Sequence, residues 1–200
     1  MKTTMPSDVP FARWFVDHWM RVGIVMAVIL LLITPVLILE MPWTIVLVYL
    51  QLPIYMLHQY EEHANGAFQR YATQTMGHGK MVLSATDIFW INVGLVWVFD
   101  LVWLLMAVFV HPFWGLIAVG TAVVNGTLHL IFGIKDRAYN PGLWTGIFIF
   151  LPVGMYAMLM IGHSIQASTT TYILALVGAV LTHAPIVAFV RKQLCRTQLS

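Results

Sequence analysis

Charge is scarce in this chain. Only 9% of its 200 residues are Asp, Glu, Lys or Arg, against about 25% in an ordinary soluble domain. With hydrophobic residues at 60% and a mean hydropathy of +0.84, water is excluded as the main solvent. Cysteine is almost absent too. Cys195 stands alone, so no disulfide can form within the chain and nothing points to an oxidising compartment. Basic stripes are missing: the ten Lys and Arg residues fall in ones and twos at the ends of apolar runs, which excludes a nucleic-acid partner despite a net charge of +2. Internal repeats are missing as well. The first apolar run is too long for a signal peptide, and no small-residue cleavage pattern follows it.

Long apolar runs are what the chain has. A helix needs about 20 residues to cross a hydrocarbon core of about 30 Å. Six stretches meet or approach that length: 22–39, 43–60, 87–109, 113–134, 143–162 and 172–190. Turn signals such as His111-Pro112 and Asn140-Pro141-Gly142 separate them. The predicted fold is therefore all-α, a polytopic membrane helix bundle forming one domain over 1–200. An arm (1–21) and a tail (191–200) flank it. Within the arm, Phe11–Trp19 reads equally as an interfacial helix or as an extension of the first span. With six spans and the N-terminus inside, all ten basic residues fall in cytoplasmic segments and none in the opposite loops, which predicts cytoplasmic termini in an inner membrane.

Ionisable groups within spans are costly and call for a partner or a cavity. The second span ends His58-Gln59-Tyr60-Glu61-Glu62-His63, which places His58, Glu61 and Glu62 on one helix face and His63 about 140° from His58. In the fourth span, Asn125 and His129 share a face, and His129 reaches a depth close to that of His58. His58, Glu61, Glu62 and His129 are thus candidate ligands for a divalent metal, zinc or iron, with Glu62 also a candidate acid or base and Asn125 a candidate to orient water or substrate. Pro53 is expected to bend the second span. Asp87 reads as a helix cap with Ser84, while Asn92 and His183 are possible additions to the same cavity. Asp100 lies near mid-span.

These residues carry a family resemblance. His58-Gln59-Tyr60-Glu61-Glu62, a following His129 and Tyr139-Asn140-Pro141-Gly142 resemble, in that order, the H-x-x-E-E, histidine and Y-x-P-G motifs of the HXXEE-domain membrane proteins. The resemblance implies no reaction. Tyr139 becomes a third candidate catalytic residue, placed to cover or hydrogen-bond the site.

Three activities compete. The favoured expectation is a membrane-embedded metalloenzyme acting at the cytoplasmic boundary on a lipid-like or isoprenoid substrate. Its partners would be membrane lipids and an apolar small molecule, with no organic cofactor. The alternatives are a metal-free acid–base isomerase or cyclase, and a proton or metal-ion transporter using Asp100 and His183 as stepping stones.

Overall fold

The computed structural model describes residues 11–199, and all regular structure among them is helical. Helix α1 runs unbroken over Phe11–Glu40. The aromatic segment at its start is therefore the first turns of the first pass, not a separate interfacial helix; no proline interrupts it before Pro35.

The second pass is divided into α2 (Trp43–Tyr49) and α3 (Gln51–His63). The cause is Pro53, which has no N–H to offer the Tyr49 carbonyl four residues back. Beyond α3, the predicted loop contains a short amphipathic helix, α4 (Ala67–Thr75). Helix α5 (Ala85–Ile91) opens with a capping box in which Ser84 and Asp87 bond each other's backbone N–H, as expected of Asp87. It passes through a π-helical turn, Asn92–Trp97, into α6 (Val98–Phe109). Helix α7 covers Phe113–Asp136. A single turn, α8 (Leu143–Thr145), leads through a second π turn (Gly146–Phe150) into α9 (Leu151–Ser164), where Pro152 cannot bond the Phe148 carbonyl. Helix α10 spans Thr169–Leu199, so the predicted tail continues the last helix.

Among the described residues, five stretches are long and apolar enough to cross a membrane: Arg13–Glu40, Ala85–Phe109, Phe113–Asp136, Leu143–Ser164 and Thr169–Arg196. The divided pass α2–α3 is the sixth, shorter candidate. Helix α7 is the hub, packed chiefly on α10, α9 and α6. Leu47, Val48, Leu116, Ile117, Val119 and Ile161 form an apolar core towards one end. Outward faces of α1 and α10 expose Leu32, Leu39, Leu174 and Leu181, a surface suited to hydrocarbon. The ends of α3 and α7 meet the 137–145 turn at the other end, and the polar motifs gather there.

Candidate metal centre

The site forms where α7 and the π turn leading into α9 cross closely. A Cβ on Gly126 would lie 2.9 Å from the Gly146 carbonyl oxygen, so only glycine lets the helices approach this far. The crossing sets Thr145 beside the last turns of α3. His58, Glu62 and His129 then converge, each offering one ligand atom, all within 4.8 Å of one another. His58 is fully buried. Its Nε2 lies 3.6 Å from Glu62 Oε2, and the Nε2 of His63 lies 3.2 Å from that same oxygen.

Hydrogen-bond accounting assigns the tautomers of His58 and His129. His58 Nδ1 is 2.8 Å from Thr145 Oγ1. That hydroxyl donates to Glu61 Oε2 at 2.5 Å, with the Gly142 carbonyl a longer second acceptor at 3.3 Å. Both of these groups only accept, so the hydroxyl proton is committed and His58 Nδ1 must carry the hydrogen. His129 obeys the same logic. Asn140 donates its amide to the His129 carbonyl at 2.9 Å, which turns its Oδ1 to His129 Nδ1 at 2.7 Å; that nitrogen is therefore the protonated one. In each ring Nε2 is left with a lone pair. His58 Nε2 is buried with no hydrogen-bond partner of its own. Two imidazole nitrogens and a carboxylate oxygen this close together could hold a metal ion, and outer partners of this kind would keep the rings in place.

Glu61 departs from expectation. It was grouped with the ligands because it shares a helix face with His58, yet neither oxygen is available. Glu61 Oε1 accepts from Tyr139 Oη at 2.9 Å and Trp144 N at 3.1 Å, and Oε2 accepts from Thr145 N at 2.7 Å as well as from its hydroxyl. The carboxylate caps the N-terminus of the α8–α9 pass, where unpaired N–H groups attract an anion. The Tyr139 pKa is pushed up to about 12, by burial and by the carboxylate it serves. Tyr139 thus reaches Glu61 and not the converging ligands, although it lines the cleft beside them.

The Tyr139-Asn140-Pro141-Gly142 segment is used almost whole. Tyr139 holds Glu61 and Asn140 holds His129. Gly142 has φ of 95°, and a Cβ there would lie 2.7 Å from Cε1 of both His58 and His129. Glycine is required by conformation and by space alike. Gln59, the residue between the motif histidine and Tyr60, donates to Asn92 Oδ1 at 2.9 Å and accepts from Trp97 Nε1 at 2.6 Å. Asn92 therefore holds Gln59 and does not join His58, Glu62 and His129. Asn125 is brought to the site, one turn from His129, and it also lines a second chamber with Asp100 and His183. His183 and Asp100 are not among the converging ligands. His63, discounted on helical phase, is brought against Glu62, where its ring packs on Trp19 and Phe68.

A cleft of about 800 Å³ leads away from the ligands. It follows α7 from Asn125 to Asp136, about 16 Å at 1.5 Å per residue. Phe68, Leu128 and Phe132 give it apolar walls, with Tyr71, Lys135 and Asp136 at the far end.

Residues 49–157 match a family described as a protein of unknown function with HXXEE motif. The chain belongs to the HXXEE family. No curated protein and no solved structure matches it. The match to the HXXEE family runs from the end of α2 into α9 and so contains every residue of the cluster.

Proposed function

We propose that this HXXEE protein is a membrane-embedded, metal-dependent enzyme acting on a lipid-like or isoprenoid substrate at the cytoplasmic boundary. The observation that carries the reading is the convergence of His58, Glu62 and His129, one ligand atom from each within 4.8 Å of the others, with Glu62 and His129 lining a cleft that has apolar walls. His58, Glu62 and His129 would hold zinc or iron; two nitrogens and one carboxylate oxygen with open positions suit either ion. Such an ion would supply Lewis-acid polarisation of a substrate oxygen. Thr145 and Asn140 keep the ligand rings oriented. Asn125 lies where it can bond a polar substrate group, and Phe68, Leu128 and Phe132 shield the hydrocarbon part from water. The one-sided distribution of Lys and Arg supports six passes with both termini cytoplasmic.

Elemental analysis of the purified protein tests the ligand set. About one zinc or iron per chain is expected, lost in His58→Ala and Glu62→Ala; a wild-type protein with affinity for neither ion sinks the reading. The enzymatic part is tested by comparing lipid extracts from cells producing wild-type and His58→Ala protein. A lipid-like compound that changes mass only with the wild type is expected, and identical extracts count against catalysis. A metal-free acid–base reaction draws on one observation, the His58 and His63 imidazoles 3.6 and 3.2 Å from Glu62 Oε2. Turnover that survives chelation would favour it.

A further inference from the structure

Asp100 is 5% exposed, midway along the Ala85–Phe109 stretch, and its Oδ2 has no hydrogen-bond partner. It faces a chamber of about 30 Å³ between α3, α6, α7 and α10, separate from the cleft and sharing only Asn125 with it. Asp100 is the one carboxylate among the described residues lining this chamber, and none of them is Lys or Arg. His183 and Tyr55 are the other titratable groups there.

The hydrogen-bonding balance around Asp100 is lopsided. Thr121 Oγ1 donates its proton to the Ile117 carbonyl at 2.9 Å, and Thr182 Oγ1 donates to Gly178 at 3.0 Å. Both hydroxyls therefore have only lone pairs left to give. His183 Nδ1 is 2.9 Å from the Ala179 carbonyl, so it carries the hydrogen and Nε2 is an acceptor. The Tyr55 hydroxyl points its proton at the Thr121 carbonyl, 3.4 Å away. Against these acceptors the lining offers the Trp103 indole N–H, itself buried without a partner, and the Asn125 amide. An enclosure rich in oxygen lone pairs, whose one carboxyl group can hold a negative charge only beside a positive guest, suits a cation.

We propose that the Asp100 chamber binds one small monovalent cation of sodium's size. Asp100 supplies the charge, and Thr121 and Thr182 supply neutral oxygens. Charge decides the valence: one carboxylate neutralises a monovalent ion, whereas a divalent ion would leave net charge at mid-membrane depth, where it is costly. Size decides against a hydrated ion, because the chamber has room for about one water-sized particle.

This proposal does not depend on the metal centre, and one experiment separates the two. Thermal unfolding of the detergent-purified full chain is followed while sodium chloride replaces choline chloride at constant ionic strength. A saturable rise in Tm with sodium is expected, smaller with potassium, absent in Asp100→Asn and retained in His58→Ala. Equal Tm values for the wild type in sodium and choline overturn the proposal, leaving a neutral carboxylic acid and water as the occupants. A sodium effect that persists in Asp100→Asn, or vanishes in His58→Ala, places the ion elsewhere and overturns it too. If Asp100→Asn does not fold, radioactive sodium binding to wild type and Thr182→Val decides. Saturable binding weakened by the valine supports the site, and no binding to wild type ends it.

Discussion

The cluster around His58 and the chamber around Asp100 lie on neighbouring stretches of the same helices, and both bury ionisable groups among apolar side chains. At the cluster, the outward nitrogens of the ligand rings and all the oxygens of Glu61 have partners, and the unspent donors converge on one space. In the chamber, Asp100 Oδ2 and Trp103 Nε1 are left without partners. The difference teaches that a polar site in a bundle can be completed in two ways. One builds its orientation from a second layer of side chains, as Thr145 and Asn140 do. The other keeps a buried carboxyl group without a partner, which the proposed cation would complete.

The largest expected effect breaks the first kind of site. His58→Ala removes a proposed ligand and should take zinc or iron binding below detection by calorimetry; unchanged affinity would remove the cluster from consideration. Thr145→Val tests the second layer. Losing such a partner typically weakens metal affinity by about 10–100-fold, and Thr145→Ser should restore most of it, whereas a valine variant of wild-type affinity would show that the His58 orientation needs no help. Gly142→Ala forces a Cβ against both imidazoles, and overpacking of this sort costs about 1–3 kcal/mol, measurable as a lowered unfolding midpoint in denaturant. Tyr139→Phe removes one of the four bonds to Glu61 at a half-exposed position. It should cost no more than about 0.5–1.5 kcal/mol and leave metal affinity within a few-fold by titration. The smallest effect sharpens the contrast: Asp100→Asn should leave metal affinity where it was, because Asp100 touches none of the three ligands.

Much of this was legible in the residues. Apolar runs gave the passes to within a few residues, and the i, i+4 spacing of His58 and Glu62 survives intact in three dimensions. His129 was reachable by depth alone. Glu61 was not, because its fate depends on Tyr139, Trp144 and Thr145, some eighty positions away, and helix phase carries no information about what a distant turn will offer. His63 stays outside the converging group, as its helical phase implied, although Glu62 is long enough to bend towards it. Thr145 did leave a trace, a hydroxyl residue in the first turn after Pro141-Gly142, where caps belong. Helix α4 was hidden by its brevity. The π turns were invisible, since a run apolar on every face has no phase to interrupt.

Those π turns bear on how the two sites are kept in step. A π turn contains a surplus residue relative to α-helical winding, so everything beyond it is rotated by roughly 100° from the azimuth that regular winding would assign. Gln59 grips the first and last residues of the Asn92–Trp97 turn. The side chain next to the motif histidine is therefore a clamp on the angular setting of Asp100, three residues downstream of the turn. Shortening that turn by one residue would swing the carboxylate away from α7 and α10 while leaving its distance along the axis almost unchanged.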